Sequence, residues 1–393
     1  INSFAVLTYR PDKCSNSTAV ELGKLSLWLN VIHRDMQTPF FGYRLGTGNA
    51  VVGAWLKAYP SKEFLFEKKV KKEWWNKAPK HLKFKAKGIQ RKEDEIYHFL
   101  LPDKNMVPSA GIKLLKEEHP NEAKRVAEWK KDFCAPISGS ELPILKRLSA
   151  GIDRLLEEHY LHQRKINLLT SGKVSLFGID SPELGLESYK EKERLAAERL
   201  KTNAPYFKLK MVMDYWCSLW FWDMRDAADL PTRNEWWHDL ANILNVDLSK
   251  DVLVKQDEVI LKPKNLFERE TQLSFDYGQV TEVTDAIIEY GERNNSQLFQ
   301  TNRLKLVKKH SQNYRFFHYQ LEFIEVFKER GGFDVIVGNP PWIIISYDRE
   351  GLLMDGDPLP LVQNYGTVEM DNYIIELAQK DPRFKDNYFR HLK

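Results

Sequence analysis

The feature that most constrains the fold of this chain is a short apolar run, Phe333-Asp334-Val335-Ile336-Val337, that ends in Gly338-Asn339-Pro340-Pro341-Trp342. A β-branched run of this length, bounded by glycines, predicts a strand buried on both faces, as in a parallel sheet covered by helices. Pro340 and Pro341 stop both strand and helix, so Asn339 is presented at the carboxyl end of the strand. In open α/β sheets ligands bind at that end.

The residues at this position suit chemistry on an exocyclic amino group. Such a nitrogen is a poor nucleophile because its lone pair is delocalised into the ring. The Asn339 side-chain carbonyl and the Pro340 backbone carbonyl form an acceptor pair for both amino hydrogens, and proline fixes φ so that its carbonyl direction is defined. Trp342 offers a stacking face for a base taken out of the duplex, worth about 1–3 kcal/mol. A tight turn with Trp342 in the core is the structural alternative.

Three zones follow along the chain. Residues 1–56 contain a predicted helix from Ser17 to Ile32, where Thr18 and Glu21 fit a capping box and Leu22, Leu25, Leu29 and Ile32 share a face, followed by the glycine-rich stretch Phe41 to Asn49. Residues 57–310 read as mainly helical: Glu141 to Ile166, Tyr189 to Lys201, Tyr206 to Met224, Arg233 to Leu244 with Thr232 as cap, and Thr281 to Gln300. Residues 311–393 hold the apolar run and its motif. Trp216, Trp220, Trp222, Trp236 and Trp237 read as core of the helical zone.

Charge matters locally rather than globally. The 59 Lys plus Arg nearly balance the 55 Asp plus Glu, giving +4, but thirteen basic residues against three Glu fall between Lys57 and Lys92. Lys68, Lys69, Lys71, Lys72, Lys83 and Lys85, interleaved with Trp74, Trp75 and Phe84, are candidate phosphate contacts on DNA. A solvated face neutralised by acidic neighbours is the alternative. Cys14, Cys134 and Cys217 are too far apart for a disulfide framework or a CxxC zinc site and suit a reducing compartment, hence a cytoplasmic expectation. No apolar run reaches the length of about 18 residues needed for a membrane span. The chain begins at Ile1 and reads as a piece of something longer.

Together these stretches resemble a known family, the amino-methylating adenine DNA methyltransferases of the large type IIG restriction-modification kind, also found in phage-defence systems. Thr18 to Leu29 is similar to the segment after the acidic strand that binds the cofactor ribose, Gly48-Asn49-Ala50-Val51-Val52-Gly53 to the next motif, and Phe317 to Phe327 with Phe333 to Trp342 to the catalytic segment. The resemblance implies an incomplete Rossmann-like, S-adenosylmethionine-dependent core interrupted by the helical insertion 57–310. It implies that Asn339, Pro340, Pro341 and Trp342 are catalytic and that Gly48, Asn49, Asp12 and Phe333 border S-adenosylmethionine. It implies double-stranded DNA as substrate, with nuclease or helicase subunits of a defence system as further partners. The chain departs from the family at its start: no acidic glycine loop precedes Thr18, and Cys14 stands where an acidic residue is expected, with Asp12 nearby. A non-catalytic DNA-binding or scaffold piece is therefore the second expectation.

Two other patterns carry less. Leu45 to Gly53 superficially offers a phosphate loop, but it lacks a Walker lysine and its third glycine is misplaced for a dinucleotide fingerprint. His318, in an aromatic and acidic segment, reads as a satisfied buried histidine rather than a general base.

Overall fold

A computed structural model describes residues 17–31, 40–49, 51–67, 73–85, 88–108, 113–170, 188–201, 203–248, 301–336 and 359–385, the last with short gaps, and the single residues 353 and 357. Asn339, Pro340, Pro341, Trp342, Asp12, Lys68, Lys69, Lys71 and Lys72 lie outside them, as does the predicted helix Thr281 to Gln300.

Helix α1 spans Ser17–Val31. Two small antiparallel sheets follow: β1 (Lys57–Pro60), β2 (Lys80–His81) and β5 (Glu95–Tyr97) in the order β2-β1-β5, and β3 (Phe84–Lys85) with β4 (Gly88–Ile89). Then come α2 (Lys113–Glu118), α3 (Pro120–Phe133), α4 (Leu142–Thr170), α5 (Tyr189–Ala197), α6 (Pro205–Trp220) and α7 (Arg233–Leu244). The chain continues with α8 (Asn302–Tyr314), the single turn α9 (Tyr319–Glu322), α10 (Ile324–Arg330), α11 (Leu359–Val362) and α12 (Thr367–Lys380).

The core sits where α4, α6 and α7 pack on one another, with α8 against α6. α4 turns Leu145, Leu148, Ile152, Leu155, Leu156 and Ile166 inward, the i, i+3, i+4 stripe of an amphipathic helix. Trp222, Trp236 and Trp237 are fully buried, as the sequence predicts. The indole N–H of Trp237 donates to the Leu100 carbonyl at 3.0 Å and that of Trp222 to the Asp226 carbonyl at 3.0 Å, so these two rings enter the core with their donors paired, whereas the buried Trp236 N–H meets no acceptor among the described residues.

Local signals set the helix ends. Thr232 caps α7, its hydroxyl accepting from the Glu235 N–H while the Glu235 carboxylate accepts from the Thr232 N–H at 2.8 Å, and Asn245 closes the helix in a left-handed conformation at φ 54°. Arg315 does the same for α8 at φ 45°. The reversal at Arg315 points the following residues, Phe316 to Gln320, back along the core.

Several expectations change. The zone from residue 57 is not α-helical at its start: the described residues within 57–97 hold the short strands and single 3-10 turns at Ser61–Glu63 and Trp74–Asn76, and the extended backbone of β1 suits the alternation of buried Ala58 with outward Lys57. Trp74 is 1% exposed and donates to the Pro102 carbonyl at 3.0 Å, so it is core and cannot face DNA. Both described sheets are antiparallel, and the predicted parallel, Rossmann-like sheet is not found among the described residues. Within the predicted strand Phe333 to Val337, residues 333–336 are irregular, with Val335 75% and Ile336 83% exposed. A parallel strand is held by neighbours on both edges, and among the described residues none pairs with this one. The face of α1 formed by Leu22, Leu25 and Leu29 is likewise exposed, although Val20 is buried. No described helix is long and apolar enough to cross a membrane.

Replacing Thr232 with Ala removes one side-chain acceptor from the start of α7 and is expected to lower stability by about 1 kcal/mol. Urea unfolding checks this, with a lower midpoint and an unchanged slope.

Candidate functional site

The glycine-rich loop and the segment leading to the Asn-Pro-Pro-Trp motif meet in one parallel seam. The Asn49 N–H donates to the Arg315 carbonyl at 2.8 Å and the Phe317 N–H to the Val52 carbonyl at 2.9 Å. Side chains then take over from the backbone. The Ala54 N–H donates to His318 Nδ1 at 2.9 Å and the Leu56 N–H to Gln320 Oε1 at 2.6 Å, so alternate residues of one segment satisfy alternate amides of the other.

Glycine is required here by contact. A Cβ on Gly48 would lie 2.4 Å from the Phe317 ring, and one on Gly53 would lie 1.9 Å from the Phe317 carbonyl oxygen. Gly48 is thus explained by the close approach of Phe317.

His318 is anchored from beneath by Asp214 on α6. Its Nε2 donates to Asp214 Oδ1 at 2.8 Å, and the same carboxylate accepts from Ser311 Oγ at 2.6 Å and from Lys210 Nζ at 3.0 Å. Burial pushes the Asp214 carboxyl up, but Lys210, His318 and Ser311 together outweigh it and hold it below the usual carboxylate range. Burial lowers the His318 pKa despite Asp214. Geometry gives the same answer: Nδ1 accepts an amide hydrogen and Nε2 carries the proton, so the ring is neutral. Both nitrogens are engaged, which bears out the reading of His318 as a satisfied buried histidine.

Further contacts brace the turn that follows. His159 Nε2 donates to the Leu321 carbonyl at 3.0 Å, and the Tyr206 hydroxyl donates to Glu322 at 2.6 Å. Arg44, in the glycine-rich loop, donates to Asn167 Oδ1 at 3.4 Å, and Asn167 donates in turn to Glu325. Burial, reinforced by Glu329 and opposed by Arg44 and Arg164, pushes the Glu325 carboxyl up to about 7.

The residues expected at the cofactor divide as follows. Asn49 is half-buried, and its Oδ1 accepts from the Val51 N–H at 3.0 Å, the turn-forming use of an asparagine. Phe333 stands edge-on to Phe323 at 5.3 Å and to Phe327 at 5.8 Å. Phe323 lies 5.9 Å from Phe317, the ring that packs on Gly48. Gly48 and Phe333 are therefore at the two ends of one aromatic row. Among the lysines, Lys83 is exposed and Lys85 lies in β3. Asp214 and Gln320 were missed by sequence reasoning. Their signals were there: a lone carboxylate inside an aromatic helix, and an amide two residues after His318.

Three consequences are measurable. His318→Ala leaves the Ala54 amide and the Asp214 carboxylate short of partners and is expected to cost about 2–5 kcal/mol, read by urea unfolding. Gly53→Ala, which places a methyl group against backbone, is expected to cost about 1–3 kcal/mol or more, while Gly139→Ala, with open space around it, changes little. Acid sensitivity follows from the neutral histidines. Burial lowers His98 to about 4 and His159 to about 3, and His318 also titrates below its usual value, so the unfolded chain binds more protons once pH falls below about 6.5. Glu325 acts in the opposite sense between about 4.5 and 7, and the buried Asp103 also titrates above its usual value, but His81 and His162 are lowered too, so five histidines stand against two carboxyls. The unfolding midpoint should therefore drop as pH is lowered from 6.5 toward 4; a rising midpoint would contradict this protonation scheme.

Comparison with known proteins adds one match. Residues 205–377 match the model of the Eco57I restriction-modification methylase family. No curated protein and no solved structure matches the chain. The matched segment begins at Pro205, the first residue of α6, and so takes in Asp214, the His318 seam and the Asn339 to Trp342 motif. It spans less than half of the 393 residues, and over that span the chain is similar to a restriction-modification methylase.

Proposed function

We propose that the chain is the methyltransferase part of a restriction-modification system and methylates the exocyclic amino group of adenine in double-stranded DNA. The observation that carries this reading is the position of Asn339-Pro340-Pro341-Trp342 inside the segment similar to the Eco57I methylases. Residues 1–56 and 311–393 are then parts of one core, split by the insertion 57–310. Partner nuclease or helicase subunits in a phage-defence system fit the same reading.

The residues on hand fit the adenine end of S-adenosylmethionine. Asn49 supplies a polar amide held in a turn, and Phe333 supplies an aromatic ring at the far end of the row that starts at Gly48. When bound, this cofactor supplies a methyl group carried on a sulfonium. The chain does the rest by positioning and electrostatics. Asn339 and Pro340 accept the two amino hydrogens of the target base and direct its lone pair outward, Pro341 follows them in the motif, and Trp342 stacks on the extruded ring. His318 takes no part in proton removal, since its Nδ1 already accepts the Ala54 amide hydrogen. The amino group sheds its extra proton to solvent after transfer. Lysines of the basic stretch, Lys83 with Lys68, Lys69, Lys71, Lys72 and Lys85, contribute phosphate contacts.

Labelled methyl transfer to duplex DNA, with the product base identified by mass spectrometry, tests the reading. Wild type should yield N6-methyladenine, and Asn339→Ala should lower the rate at least about a hundredfold while DNA binding is retained. Undiminished methylation by Asn339→Ala would sink the catalytic assignment. No binding of S-adenosylmethionine by calorimetry would favour the scaffold alternative.

A further inference from the structure

The basic stretch is not uniform. Lys77 pairs with Glu63 and Lys80 with Glu95, so part of it is a neutralised surface. A second group, two lysines and a histidine whose pKa is lowered by burial and by the neighbouring Lys57, has a different setting. Burial alternates along residues 54–58, with Ala54, Leu56 and Ala58 buried and Trp55 and Lys57 facing outward, the period-two pattern of an extended segment. Lys57 is the cross-strand partner of His81, and directly opposed residues share a face. Leu82 is buried while His81 and Lys83 on either side of it are exposed, which continues the same outward row. Lys57, His81 and Lys83 make no ion pair with a carboxylate among the described residues.

An aromatic platform borders this row. The half-buried Trp55 and Tyr319 rings are stacked, 5.4 Å apart and 15° from parallel, and Lys57 Nζ lies 6.0 Å from the Trp55 ring centroid. The platform is fixed at both ends: the Trp55 carbonyl accepts from His98 Nε2 at 2.9 Å, and Tyr319 follows the anchored His318. Its ring also meets Phe317 edge-on at 5.1 Å. Rigid aromatic faces beside uncompensated cations are the combination that binds single-stranded nucleic acid, where bases stack on the rings and phosphates meet the cations. A protein partner would call for a larger apolar centre.

We propose that Trp55 and Tyr319, with Lys57, His81 and Lys83, form a binding site for unpaired DNA nucleotides, separate from the Asn339 to Trp342 motif. This rests on the reading of the chain as an enzyme acting on DNA and places a specific contact within it. One base stacks on the Trp55–Tyr319 pair, and the adjoining phosphates lie along Lys57 and Lys83. Such a site would hold nucleotides released from pairing when a base is extruded.

Fluorescence anisotropy with a labelled thymidine oligonucleotide of about 12 residues, within the length range such sites span, tests the proposal on the full chain. Trp55→Leu is expected to weaken binding about five- to a hundredfold, and Trp55→Phe to restore most of it, because a stacking face remains. Lys57→Glu combined with Lys83→Glu should weaken binding and flatten its salt dependence. Thermal melting of each variant guards against unfolding. Should Trp55→Leu melt below the working temperature, the Lys57→Glu/Lys83→Glu pair decides alone. Wild-type affinity and salt slope in a folded variant would overturn the site, as would oligonucleotide binding displaced by anionic vesicles but not by unlabelled DNA. If wild type methylates duplex DNA while Trp55→Leu binds the oligonucleotide unchanged, this site fails and the methyltransferase reading stands. If no methyl transfer occurs but Trp55→Leu loses the oligonucleotide, the site stands and that reading fails.

Discussion

The buried contact between Asp214 and His318 is the interaction on which the rest of the structure depends. One carboxylate, 4% exposed, gathers Lys210, Ser311 and His318, and His318 passes the constraint on to the Ala54 amide, 264 residues away in sequence. An ionised carboxylate in the interior is tolerated only when several donors surround it. That condition is met here by donors from α6, from α8 and from the segment after α8, so one charge fixes the relative positions of all three.

What the contact positions is the route into the Asn339 motif. Phe316 to Gln320 are zipped to residues 49–56 on one side and braced by α4 and α6 on the other. α10 then ends at Gly331, at φ 82°, and Phe333 packs back on Phe323 and Phe327. The glycine-rich loop and the approach to the motif are thereby one mechanical unit. That the family match starts at α6 is consistent with this, because α6 supplies the anchoring carboxylate.

Much of the helical framework is legible in the sequence, because its signals are local. The Thr232 and Glu235 cap, the Leu145 to Leu156 stripe and the tryptophan cluster each follow from residues within a few turns of one another. The seam is not legible in that way. His318 meeting Ala54, Gln320 meeting Leu56 and Asp214 beneath them are contacts of long sequence separation between residues that carry no periodic signal. The short strands in residues 57–97 are hidden for a different reason: two to four residues apiece, they are held by neighbours such as Leu56 and Glu95 rather than by β propensity. The apolar run at Phe333 shows the converse. Its composition predicts a buried strand, yet composition alone does not supply the neighbouring strands that would bury Val335 and Ile336. Of the candidate site, Gly48 and Phe333 stand at the two ends of the aromatic row, with Gly48 explained by packing, and Asn49 closes a turn beside it; the motif itself is read from the sequence.

Amide hydrogen exchange at Ala54 and Leu56 tests the seam most directly. Both residues precede or border a short strand, where exchange would be fast if only local structure protected them. With His318 and Gln320 as their acceptors, the two amides should exchange about as slowly as those of α6, and His318→Ala should release Ala54 ahead of global unfolding. Fast exchange at both amides in the wild-type chain would contradict the coupling of the glycine-rich loop to the segment Phe316 to Gln320.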